Sequence, residues 1–112
     1  MIIHIPYDTD VPFFARIVRP GDRYGLKGQL IHHGKEPYIE FYDARFDHNQ
    51  WLGEVGQFVS RYNLKDIMEF PDGIGLDLDG GIDDWKLTAA QVRYVKDRIA
   101  YLLNTNYPEH DD

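Results

Sequence analysis

The sequence predicts one α+β domain spanning 1–112: an antiparallel, meander-like sheet of five or six strands, a short helix near 64–70, and a C-terminal helix near 89–104 packed on one face. Two patterns carry the prediction. Ile74, Leu76 and Leu78 alternate with Gly75, Asp77 and Asp79, the period of a strand with one apolar face and one wet face. Beyond them, Val92, Val95, Ile99, Leu102 and Leu103 recur at spacings of three and four, the stripe of a helix resting on a core. The length of 112 residues suits one domain with one core.

In chain order, Ile3 and Ile5 flank His4 in an opening strand, and 13–18 is apolar and β-branched enough for a second, ended by the turn at 19–22. A hairpin is expected from strands at 26–32 and 38–43 around 33–36. In its second arm Ile39 and Phe41 point one way and Tyr38, Glu40 and Tyr42 the other, which puts two tyrosines on the more exposed face. Residues 47–56 read as a loop whose Trp51 and Leu52 dip into the core, and 57–62 as another strand. Asn63 caps the short helix, which Pro71 and Gly73 end. Thr88-Ala89-Ala90-Gln91 is a capping box, with Leu87 and Val92 as its hydrophobic staple and Pro108 beyond the helix end.

Composition excludes several functions. With no cysteine, disulfides, thiolate metal sites and a cysteine nucleophile are ruled out. Ser60 is the sole serine and lacks the Gly-x-Ser-x-Gly elbow, and no glycine-rich phosphate loop is present. The apolar runs are short and the first residues lack the form of a signal peptide, so a cytoplasmic, non-membrane protein is expected.

The net charge of −7 lies in the later part of the chain. Asp66, Glu69, Asp72, Asp77, Asp79, Asp83 and Asp84 come without a basic residue among them, whereas Arg16, Arg19, Arg23, Lys27 and Lys35 face only Asp22 across 11–35. The stretch 75–86 has the outline of an EF-hand calcium loop, with Asp77, Asp79 and Asp83 in register, but Gly75 and Lys86 occupy the first and last ligand positions, so no metal or cofactor is expected.

The reading that best fits is a small, acidic, non-enzymatic protein-binding module of a regulatory or accessory kind. Its candidate binding residues are Tyr38, Tyr42, Asp72, Asp77, Asp79, Asp83 and Asp84, because tyrosines supply interface area with a polar tip. The partner expected is another protein, and a nucleic-acid-binding one would suit the acidic stretch; a homodimer stays open. One alternative is a nucleic-acid mimic that inhibits a nucleic-acid-handling enzyme, its carboxylates standing in for phosphates, as in accessory proteins of mobile elements. Another is a small enzyme using His32, His33 or His48 with Asp43 or Asp47. Direct nucleic-acid binding through Arg16, Arg19, Arg23 and Lys27 runs against the overall acidity.

Overall fold

Two six-residue strands form the middle of the main sheet, and both are buried along their whole length. The computed structural model describes residues 2–6, 11–24, 29–30, 34–45, 57–79 and 85–104. In chain order these form β1 (Ile2–His4), β2 (Phe13–Val18), β3 (Arg23–Tyr24), β4 (Gln29–Leu30), β5 (Tyr38–Asp43), β6 (Gln57–Asn63), α1 (Leu64–Met68), β7 (Leu76–Asp77), β8 (Lys86–Leu87) and α2 (Ala89–Asn104). The main sheet is antiparallel in the order β1-β2-β5-β6; β3-β4 and β7-β8 are separate two-stranded ribbons. The α+β class, the antiparallel pairing and the two helices match the sequence prediction.

The register sorts the side chains. Ile3 lies across from Ala15, Ala15 from Phe41, and Ile17 from Ile39, so these residues share one face and join the main core. α2 closes this core with Val92, Val95, Ile99 and Leu102, α1 adds Leu64 and Ile67, Leu78 arrives from just beyond β7, and Trp85 and Leu87 from β8 and its approach. Each such aliphatic side chain contributes about 1.5–3 kcal/mol by leaving water.

The capping box forms as expected: the Thr88 amide donates to Gln91 Oε1 at 2.9 Å and the Gln91 amide to Thr88 Oγ1 at 3.1 Å. Gln91 does more than cap, since its buried Nε2 also donates to the Pro6 carbonyl at 2.8 Å and ties the helix start to the end of β1. Asn63 caps α1 by accepting from the Lys65 amide.

Three expectations are corrected. β5 pairs with β2 and β6, while Gln29–Leu30, the described part of 26–32, pairs with β3; long-range pairing with β2 wins because it gives β5 a six-residue partner. Ile74 is 53% exposed, since the β7 ladder begins only at Leu76. Leu103 is 57% exposed, because the preceding helical position, Leu102, takes the core-facing angle. Trp51 and Leu52 lie outside the described residues.

Candidate functional site

The second face of the sheet carries Phe14, Arg16 and Val18 from β2 and Tyr38, Glu40 and Tyr42 from β5. The tyrosines point where the alternation puts them, but they are not exposed: Tyr42 is 1% and Tyr38 9% accessible. Neighbours from other strands cover them. Phe14 stacks on Tyr42 with ring centroids 5.0 Å apart, Phe58 meets Tyr42 edge-on at 5.9 Å, and the Arg61 guanidinium lies 4.4 Å above the Tyr38 ring. Arg16 is fully buried on this face, across from Glu40 and 5.7 Å from the Tyr42 ring centre. Arg19 is engaged by Asp22, and Lys27 lies outside the described residues, so the basic early segment does not present Arg16 to a nucleic acid.

The outer strand β6 owes its shape to one irregularity. Phe41 pairs with Ser60 and Tyr42 with Phe58, so Val59 is an extra residue, a β-bulge. A regular strand would send Phe58 and Arg61 to opposite faces. The bulge puts both on the second face and leaves Val59 and Ser60 buried one after the other. Arg61 Nη2 donates to Glu40 Oε2 at 3.1 Å, and the Tyr42 hydroxyl donates to Glu40 Oε1 at 3.1 Å. The Arg61 side chain is 54% exposed, so its ion pair contributes less than about 1 kcal/mol and serves mainly to orient the guanidinium. Burial, then the negative Glu40, raise the Tyr38 phenol above its ordinary pKa against the opposing pull of Arg61, so the ring stays neutral beneath the cation.

The result, for the described residues, is an open strand edge. Among the described residues β6 has a strand neighbour on one side only, over seven residues, with Phe58 42% exposed and Arg61 beside it. The opposite edge, β1, is three residues long and runs into Pro6.

Asp43, offered as an enzymatic carboxylate, has structural work instead. It is fully buried at the end of β5, accepts from Trp85 Nε1, and takes a fork from Arg45 Nε and Nη2, at 3.2 and 2.8 Å to Oδ2. Burial alone would raise its pKa; the hydrogen bonds from the Arg45 side chain and amide and from Trp85, with the Arg45 charge, outweigh that and hold it below the ordinary value. His32, His33, Asp47 and His48 lie outside the described residues, as do Asp83 and Asp84. Among the described residues no three His, Asp or Glu are grouped so as to hold a metal ion.

The remaining acidic candidates divide. Asp72 is exposed but bridged by α2: Lys96 Nζ donates to it at 2.9 Å and Arg93 Nη1 lies 3.4 Å away. The Lys96 hydrogen bond and charge, then Arg93, lower its pKa. Asp77 is exposed in β7 across from Lys86, and its carbonyl accepts from the Tyr62 hydroxyl; Asp79 is exposed just beyond.

Phe58 and Arg61 were not singled out from the sequence. The aromatic and β-branched content of 57–62 marks a strand, but nothing in it marks a bulge.

Fold and surface together define a class: an antiparallel α+β protein in which, among the described residues, one long strand edge is open beside an aromatic-arginine cluster. In comparisons with known proteins, no family model, curated protein or solved structure matches the chain.

Proposed function

We propose that this chain is a small, acidic, non-enzymatic protein-binding module that takes an extended strand of a partner protein against the open edge of β6. The observation that carries this reading is the seven-residue edge itself, with its exposed Phe58 and Arg61. Backbone N–H and C=O groups along such an edge can be matched by an added strand, while side chains at alternate positions supply selectivity. Tyr38 and Tyr42 act from beneath, by setting Arg61 and Phe58 in place. Aromatic and arginine side chains are the types that carry binding energy at interface centres. Nucleic-acid mimicry has weaker support, since Asp72 is bridged by two cations and Asp77 lies across from Lys86.

The test is selection of a random-peptide display library against the immobilised full chain. Extended peptides with alternating apolar positions should be enriched, and their affinity should fall about tenfold or more on Phe58→Ala. If no peptide is enriched, or the selected peptides bind Phe58→Ala as tightly as the wild type, the reading is rejected.

A further inference from the structure

Resting on that reading, we infer that the strand β6 accepts is β6 of a second copy of this chain, antiparallel, with Gln57 across from the partner's Tyr62, Phe58 from the partner's Arg61 and Val59 from the partner's Ser60. The argument starts from the bulge. Gln57, paired with Asp43, and Tyr62, paired with Ile39, lie on the core face together with the buried Val59 and Ser60; Phe58, Arg61 and Asn63 lie on the second face. Read from 57 to 62, the faces run core, second, core, core, second, core. That order is the same in both directions.

Two copies related by a two-fold axis normal to the sheet keep each face on its own side. In the register above, every residue from 57 to 62 meets one of its own face. Sliding either strand by one or two residues sets core-face positions against second-face positions, which costs burial on both. A foreign strand of regular alternation can match the edge on one side of the bulge only, over about half its length. A copy carrying the same bulge is the partner whose pattern matches.

The chemistry of the matched positions agrees. Arg61 already lies 5.9 Å from the Phe58 ring of its own chain, and the pairing sets each guanidinium across from a second Phe58 ring, extending the cation-aromatic row over the joint. β6 carries no carboxylate and a single cation, so the strand faces itself without a like-charge pair. A joint of this length falls below the roughly 1,200 Å² of a standard interface, so the dimer forms in a concentration-dependent way. With −7 on each copy, salt strengthens it by screening their repulsion.

Sedimentation velocity of the full chain over a concentration series is the first measurement. The wild type should move from monomer to dimer, more completely at higher salt. Phe58→Glu sets a carboxylate across from the partner's Arg61 and should keep the dimer; Phe58→Lys sets two cations together and should abolish it. Because the chain has no cysteine, the register can be read directly even if these variants fold poorly. Gln57→Cys mixed with Tyr62→Cys should form a disulfide-linked pair under mild oxidation, and neither should do so alone. A monomer at every concentration, equal behaviour of the two Phe58 variants, or cross-linking of either cysteine variant with itself at the yield of the mixture would overturn the inference. If the chain stays monomeric yet display-selected peptides still bind at Phe58, self-pairing falls and the strand-accepting function stands. If neither occurs, both fall.

Discussion

Asp43→Ala is the substitution whose cost the structure lets us work out in most detail. It removes a fully buried carboxylate that accepts from Trp85 Nε1 and from three nitrogens of Arg45. The Trp85 bond is buried and charge-assisted, so its loss costs about 1.5–3 kcal/mol, part of which is the indole N–H left without an acceptor. The Arg45 side chain is 33% exposed and is rehydrated when Asp43 goes, so its share is held below about 1 kcal/mol. The sum is about 1.5–4 kcal/mol. At roughly 4 °C per kcal/mol for a domain of this size, Tm should fall by about 6–16 °C. The assay is urea unfolding followed by far-ultraviolet circular dichroism, run as a cycle with Trp85→Phe and the double variant. A coupling energy of about 1–2 kcal/mol is expected, because each single variant removes the same bond. Additive losses, or an Asp43→Ala variant within about 0.5 kcal/mol of the wild type, would refute the claim that this aspartate holds Trp85 in the core.

Acid sensitivity follows from the same group. Its pKa is lowered in the folded state, so the stability it contributes is present above the unfolded value near 4 and is lost as pH falls through the lower folded value. As pH falls below about 4, Tm of Asp43→Asn should drop less steeply than that of the wild type, and parallel curves would contradict this. Thr88→Ala should cost about 1 kcal/mol as a lost helix cap, and Gln91→Ala more, about 2–3 kcal/mol, because the buried amide also holds Pro6; denaturant melts giving the reverse order would show the Pro6 bond to be dispensable. Gly75→Ala should destabilise more than Gly73→Ala. A Cβ at 75 would sit 2.7 Å from the Leu87 carbonyl and force β7 from β8, whereas at 73 it meets no atom and only the φ of +81° is strained, at about 1 kcal/mol. Equal thermal shifts would sink that distinction.

The bulge at Val59 links the fold to the proposed function. Without it, Arg61 would point away from Glu40 and Tyr38, and Phe58 and Arg61 would not share a face. One inserted residue thus creates the aromatic-arginine row and also gives the strand edge its two-way symmetry.

Local chemistry was legible in the chain by itself. The α2 boundaries, the Thr88–Gln91 box, the Asn63 cap, strand 13–18 and the alternation in 38–43 all depend on neighbours within a few residues, where period and hydrogen-bonding reach are set by backbone geometry. What only the tertiary structure decided depends on residues far apart in sequence. Tyr38 and Tyr42 alternate to the outer face as expected, yet they are buried because Phe14, Phe58 and Arg61 arrive from β2 and β6 to cover them. Asp43 reads in the sequence as a carboxylate that could serve His32, His33 or His48, whereas Trp85, forty-two positions later, donates to it. Strand order and the bulge are of the same kind: an alternating pattern states which face a side chain takes, but not which strand lies beside it, because many pairings satisfy the same period and only the packed core selects among them.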